Sequence, residues 1–129
     1  MQGMPYFGYK LAHLLQASGL AKAAPGKPFY VTNEAEQRTY TGTVNPDGTL
    51  SGLRLFAEQG GESLAQDSAG NVYLAAGQIF VYNSAGKPID TIVVPERPIQ
   101  VVFGGKDRRT LFIVTQRSLY AVKTRVAGM

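Results

Sequence analysis

Residues 64–94, LAQDSAGNVYLAAGQIFVYNSAGKPIDTIVV, alternate short apolar segments with glycine-containing turns, and this pattern indicates the architecture of the chain. The opening of this stretch repeats the pattern of LAKAAPGKPFYVTN, residues 20–33. Both begin with Leu-Ala, carry a Gly six residues later and an aromatic residue three positions after that Gly. A third and looser copy, VVFGGKDRRTLFIVT, occupies residues 101–115. Self-similarity at a period of about 40–45 residues indicates a repeat architecture.

Each copy is predicted to form strands joined by tight turns. Residues 38–44, 78–82 and 118–122 alternate, or nearly alternate, between two faces, which is typical of half-buried strands. The turns at 45–48 and 83–86 both start with Asn and place Gly three residues later. A repeat of four antiparallel strands is a propeller blade, so we predict an all-β chain, a β-propeller segment of about three four-stranded antiparallel blades. The predicted blades are residues 18–59, 60–96 and 97–129, with outer strands at 49–57 and 88–94 and with the fourth strand of the last blade missing.

The N-terminal segment, residues 1–17, precedes the first blade and allows two interpretations. Leu11, Leu14 and Leu15 have helical spacing, whereas the start of the stretch 5–16 reads equally well as a strand. We favour the strand, which would be the outer strand of a preceding blade, and leave the helix open.

Composition excludes several classes of site. The chain has 129 residues, no Cys and a single His, His13, so thiolate chemistry is excluded and a Ser-His-Asp triad is disfavoured. No run of 18 apolar residues predicts a membrane helix. The net charge of +4 is spread along the chain, so we expect no nucleic-acid partner. Polar residues interrupt the apolar stretch 11–24, which disfavours a signal peptide, and we expect a soluble protein of the cytoplasm or the periplasm.

Five short motifs, taken in order and spacing, resemble the gluconolactonase/regucalcin (senescence marker protein) family over residues 17–125. They are DSAGNVY (67–73), PERP (95–98), FGG (103–105), TLFI (110–113) and SLY (118–120). The resemblance implies that the chain is similar to the C-terminal half of a six-bladed propeller. It also implies one divalent metal, most often calcium, at the top of the central channel, and a small-molecule lactone or ester as the substrate to be hydrolysed.

The resemblance also implies site residues. Glu62 stands where the family has the Asp that binds metal and acts as catalytic base, and Ser18 stands where it has a metal-binding Asn. Asn33 replaces an Asp at the end of a strand and is expected to contact substrate or to cap a turn. Arg97, from its place between two prolines at the start of the last blade, is expected to bind an anionic substrate. Glu62 keeps a carboxylate, whereas the Ser18 hydroxyl is a poorer calcium ligand than an amide oxygen.

Two functions therefore remain open. In the first, the chain is part of a divalent-metal-dependent lactone or ester hydrolase and is inactive alone, because the metal-binding Glu of the family's first blade has no counterpart here. In the second, it is a non-catalytic scaffold that binds a ligand or a protein. Three blades leave two apolar faces bare. Either the remaining blades of a ring or a second copy of the chain, in a dimer of three plus three blades, would cover them, with residues 5–16 of one copy completing the last blade of the other.

Overall fold

The computed structural model describes residues 19–20 and 25–129. All regular secondary structure in this part of the chain is β-strand. The residues 5–16, for which strand and helix were both open, lie outside the described residues. The described part contains no helix that could span a membrane. The strands are β1 (Gly19–Leu20), β2 (Pro28–Asn33), β3 (Arg38–Val44), β4 (Leu50–Ala57), β5 (Ser63–Gln66), β6 (Val72–Ala76), β7 (Gln78–Tyr82), β8 (Pro88–Ile92), β9 (Pro98–Gly104), β10 (Thr110–Thr115) and β11 (Leu119–Lys123).

The strands form three antiparallel sheets in which neighbours in sequence are neighbours in space. Sheet one has the order β1-β2-β3-β4, sheet two β5-β6-β7-β8, and sheet three, over the described residues, β9-β10-β11. The predicted all-β fold, built from antiparallel sheets of three or four strands, is therefore confirmed. The outer strands β4 and β8 agree with the predicted segments to within two residues.

Apolar side chains from neighbouring sheets meet face to face. Between sheets one and two, Phe56 packs edge-on against Tyr82 with ring centroids 5.9 Å apart. Between sheets two and three, Tyr73 packs edge-on against Phe103 at 5.2 Å. Sheet two is thus covered on both faces. Its fully buried residues include Val72, Leu74, Ala75 and Ile79.

The turn after β5 is fixed by Asp67, which is fully buried. Its Oδ1 accepts hydrogen bonds from the backbone N–H groups of Ala69 and Asn71, both at 2.9 Å. An Asp directly before Ser-Ala-Gly-Asn is well placed to cap this turn through its side chain. Its Oδ2 also accepts from the hydroxyl of Tyr73, and burial together with this bond raises the pKa of Tyr73 above its ordinary value.

The C-terminal tail, residues 124–129, leaves sheet three and returns to the far end of sheet two. The N–H of Gly128 donates to the carbonyl of Arg108 at 2.7 Å, and the N–H of Met129 donates to the carbonyl of Gln66 at 3.1 Å. The tail thus connects the turn after β9 with the end of β5.

Candidate functional site

A cavity of about 210 Å³ lies at the end of the sheets where β5 and β9 begin. Four segments contribute to it: the β2–β3 turn, the stretch leading into β5, the β6–β7 turn and the stretch leading into β9. It therefore spans the junction of all three sheets. Its lining residues are Glu34, Gln37, Gly60, Gly61, Glu62, Ala75, Ala76, Gly77 and Arg97.

Two glycines bring Glu62 to this cavity. A Cβ on Gly61 would lie 2.0 Å from the carbonyl oxygen of Ala75, and one on Gly60 would lie 2.1 Å from a backbone oxygen of β2. Since no side chain fits at either position, the backbone here passes directly between sheets one and two. The N–H of Gly61 donates to Thr32 Oγ1 at 2.9 Å, and the N–H of Glu62 donates to the carbonyl of Ala75 at 2.8 Å.

The structure brings two predicted site residues, Glu62 and Arg97, into contact. Nη2 of Arg97 lies 2.5 Å from Oε2 of Glu62 and 2.8 Å from Oε2 of Glu34, so one nitrogen atom bridges two carboxylates. The Glu62 side chain is 29% exposed and that of Arg97 is 59% exposed. The cluster therefore faces solvent at the mouth of the cavity and carries two negative charges against one positive charge.

Glu96, to which no sequence pattern assigns a role, anchors the segment that carries Arg97. Its carboxylate accepts hydrogen bonds from the hydroxyls of Ser118, Tyr120 and Thr115, at 2.6, 2.7 and 3.1 Å. The bonds from Ser118 and then Tyr120 hold the pKa of Glu96 below its usual value. Because Glu96 is held by the β10–β11 turn, the neighbouring Arg97 is directed toward the cavity.

Another predicted site residue, Asn33, is not brought to this cluster. Asn33 is 2% exposed and shares the face of Phe29 and Val31, which points away from sheet two, and it does not line the cavity. Its Oδ1 accepts a hydrogen bond from the N–H of Glu36 at 3.0 Å, which is the turn-capping arrangement. Its role in substrate binding stays a prediction. Ser18, the second predicted metal ligand, lies outside the described residues.

The carboxylates of Glu34 and Glu62 are the groups in this cluster that could hold a divalent metal. Within the described ranges, no group of three or more His, Cys, Asp and Glu side chains is arranged to hold a metal ion. However, both Oε2 atoms contact one nitrogen at 2.5 and 2.8 Å, near the ~2.3–2.6 Å at which Ca²⁺ contacts oxygen. One hard cation could therefore touch both carboxylates, with water or further ligands supplying most of its coordination shell. Two carboxylates are fewer oxygen ligands than a calcium ion takes, so the described residues do not form a calcium site by themselves.

Comparison with known proteins gives consistent results over most of the chain. The sequence pattern of the SMP-30/Gluconolactonase/LRE-like region matches residues 10–117. A 6-deoxy-6-sulfogluconolactonase from Pseudomonas putida is 39% identical over 77 residues, which cover 54% of this chain and 26% of that protein. This chain therefore spans about a quarter of the length of that relative.

Solved structures show the same fold. The calcium-binding protein regucalcin from Agrobacterium tumefaciens superposes with a TM-score of 0.76 at 17% identity, covering 87% of this chain and 47% of that one. A gluconolactonase from Xanthomonas campestris superposes with a TM-score of 0.72 at 21% identity, covering 88% of this chain and 38% of that one. At these identities the likeness establishes the fold, and the three sheets correspond to propeller blades. The chain spans less than half of each structure.

Proposed function

The chain belongs to the SMP-30/gluconolactonase/LRE-like family, and from this premise we propose that it is part of a propeller that hydrolyses lactones or related esters with the help of a divalent cation, calcium in the first place. The observation that carries the proposal is the contact between Glu62, Glu34 and Arg97 at the mouth of a cavity. The identity to a sulfogluconolactonase over just over half of the chain supports the substrate class.

In the proposed reaction Glu62 acts as general base. A water molecule attacks the carbonyl carbon of the lactone and gives its proton to the Glu62 carboxylate. The bond between the carbonyl carbon and the ring oxygen then breaks, and the proton passes from Glu62 to the departing alkoxide, which yields the open-chain hydroxy acid. A divalent cation bound by Glu62 and Glu34 would polarise the carbonyl and lower the pKa of the water.

Arg97 supports a preference for anionic substrates. A guanidinium offers a planar set of N–H donors that suits carboxylate, phosphate or sulfonate oxygens. By its name, the Pseudomonas putida relative acts on a lactone that carries a sulfo group. We propose that Arg97 binds an anionic substituent of the lactone at the rim of the cavity, while Asn33 and Ser18 keep their predicted roles in substrate and metal binding.

The test follows acid release from a set of aldonolactones, neutral and sulfonated, with added calcium and with a chelator. Hydrolysis is expected in preparations whose native mass shows a completed ring, and the chelator is expected to abolish it. In the isolated chain, the lactone with calcium is expected to shift the amide resonances of Gly60, Gly61 and Glu62. A completed ring without lactone hydrolysis would contradict the proposed activity, and chelator-resistant hydrolysis would contradict its dependence on metal.

The outer face of sheet three supports a second candidate function, in which the chain is a non-catalytic scaffold that dimerises with a second copy of itself. Val102 and Leu119 are 49% and 65% exposed, and strand pairing places Phe112, Val114 and Ala121 on the same face. Such a continuous apolar face is uncommon on a soluble monomer. Since the chain spans 47% and 38% of the two superposed structures, two copies supply roughly the length of one of these proteins.

Light scattering at several concentrations, with calcium and with a chelator, measures this association. A species near twice 13.9 kDa is expected at high concentration. Leu119→Lys is expected to weaken the dimer at least about tenfold, because a buried ammonium without a partner is costly. Val93→Lys is the matched control, since Val93 is 78% exposed and lies outside sheet three. A monomer at every concentration would contradict pairing and leave the hydrolase proposal standing.

A further inference from the structure

Two buried threonines of sheet one, Thr32 and Thr39, bind the backbone that leads to Glu62. They lie directly opposite each other in the pairing of β2 with β3, and they are 0% and 1% exposed. We propose that Thr32 and Thr39 are positioning residues, whose hydroxyl groups hold the segment 59–62 so that the Glu62 carboxylate lies at the mouth of the cavity. This inference rests on the proposed function, because Glu62 is the proposed general base.

The two hydroxyls bind this short segment at two points of its backbone. The N–H of Gly61 donates to Thr32 Oγ1 at 2.9 Å, and the Thr39 hydroxyl donates to the carbonyl of Gln59 at 2.7 Å. The two hydroxyl oxygens lie 2.9 Å apart, which is within hydrogen-bond distance. One cross-strand pair therefore holds both a backbone donor and a backbone acceptor of the segment that ends at Glu62.

Apolar side chains would fill the same space at these two positions. Thr32 shares its face of β2 with Tyr30, which packs in an apolar cluster with Leu64 and Leu74 of sheet two. Valine has nearly the shape of threonine and would avoid the cost of taking a hydroxyl group out of water. What the two hydroxyls add to this interface is therefore the binding of backbone groups, which fixes the path of the segment.

Sheet two holds the other side of the segment. The N–H of Glu62 donates to the carbonyl of Ala75 at 2.8 Å, and the Tyr82 hydroxyl donates to Oε1 of Gln59. Without the threonine hydroxyls the segment is attached to sheet two alone. A general base must lie within hydrogen-bond reach of the water it deprotonates, and a displacement of about 1 Å can be costly for catalysis. Loss of these hydroxyls should therefore slow the reaction through Glu62.

Thr32→Val and Thr39→Val each remove one hydroxyl and test the proposal by two measurements. In the isolated chain, the N–H groups of Gly61 and Glu62 are expected to exchange with solvent about tenfold faster, relative to those of β10. In the completed propeller, kcat for lactone hydrolysis is expected to fall about tenfold with KM within about twofold, because the base acts in the chemical step. Thr39→Ser keeps the hydroxyl and is expected to restore both values.

Thr41→Val is the matched control, since Thr41 is 3% exposed, also belongs to β3 and donates its hydroxyl to the carbonyl of Phe29 at 2.8 Å. It is expected to leave the exchange of Gly61 and kcat within about twofold of the wild type. Equal changes in Thr39→Val and Thr41→Val would overturn the positioning role, because Thr39 would then only stabilise the sheet.

The two measurements separate this inference from the proposed function. Faster exchange of Gly61 with an unchanged kcat would overturn the positioning role and leave the hydrolase proposal standing. A completed wild-type ring that hydrolyses no lactone would overturn the proposed function, and this inference with it.

Discussion

Glu62→Gln is expected to lower kcat/KM for lactone hydrolysis at least ~100-fold in the completed propeller, because the amide can neither accept the proton of the attacking water nor neutralise a cation. The substitution keeps the size of the side chain. It also leaves the backbone bond from Glu62 to Ala75 intact, so the fold is expected to survive. Initial rates of acid release at several lactone concentrations measure the loss, and a thermal melt checks the fold.

Glu58→Gln is the appropriate comparison for this prediction. Glu58 is an exposed carboxylate four residues earlier in the chain and does not line the cavity. Its replacement changes the net charge equally and is expected to leave kcat/KM within about twofold of the wild type. If both variants lose activity to the same extent, the effect is one of overall charge, and Glu62 has no special role in the reaction.

The second large effect is expected at Gly61, where substitution by Ala should lower the free energy of unfolding by about 3 kcal/mol or more. The added Cβ would lie 2.0 Å from the carbonyl oxygen of Ala75, which is backbone and cannot rotate away. The segment must therefore move out from between sheets one and two. This movement breaks the hydrogen bonds from Gly61 to Thr32 and from Glu62 to Ala75. The shift in urea midpoint and the m-value measure the loss.

Gly26→Ala is the control that separates the steric clash at Gly61 from the backbone cost of replacing a glycine. Gly26 has a φ of +77° and no atom within 4 Å of an added Cβ, so the substitution costs only the ~1–2 kcal/mol of a left-handed conformation. If the Gly61→Ala variant is as stable as Gly26→Ala, the backbone of β6 can move to accommodate the added Cβ. The close contact with Ala75 would then not determine the position of Glu62.

Much of the fold could be predicted because short sequence patterns determine the strands and the turns between them. The alternation in residues 78–82 appears as β7, and the Asn-to-Gly turn at 83–86 connects it to β8, with Gly86 at a φ of +84°. These features depend on residues within a few positions of one another.

The candidate site was less predictable because its contacts join distant parts of the chain. The bond between Arg97 and Glu34 spans 63 residues and exists only because sheets one, two and three meet at one end. The position of Glu62 was inferred from a resemblance, whereas its contact with Arg97 required the packing of the sheets. The hydroxyl groups around Glu96 come from β10, β11 and the turn between them, and nothing near Glu96 in the sequence indicates them.

The C-terminal tail has a mechanical consequence for sheets two and three. The chain connects the two sheets covalently between β8 and β9, at the end that holds the cavity. The tail fastens them at the opposite end through Met129 and Gly128. Because sheets two and three are connected at both ends, they cannot rotate about one end as a hinge. The angle between these two sheets is therefore held by contacts within this chain. In a propeller this angle sets how many blades complete a full circle, and the curvature of the ring is therefore encoded here, independently of whatever supplies its other blades.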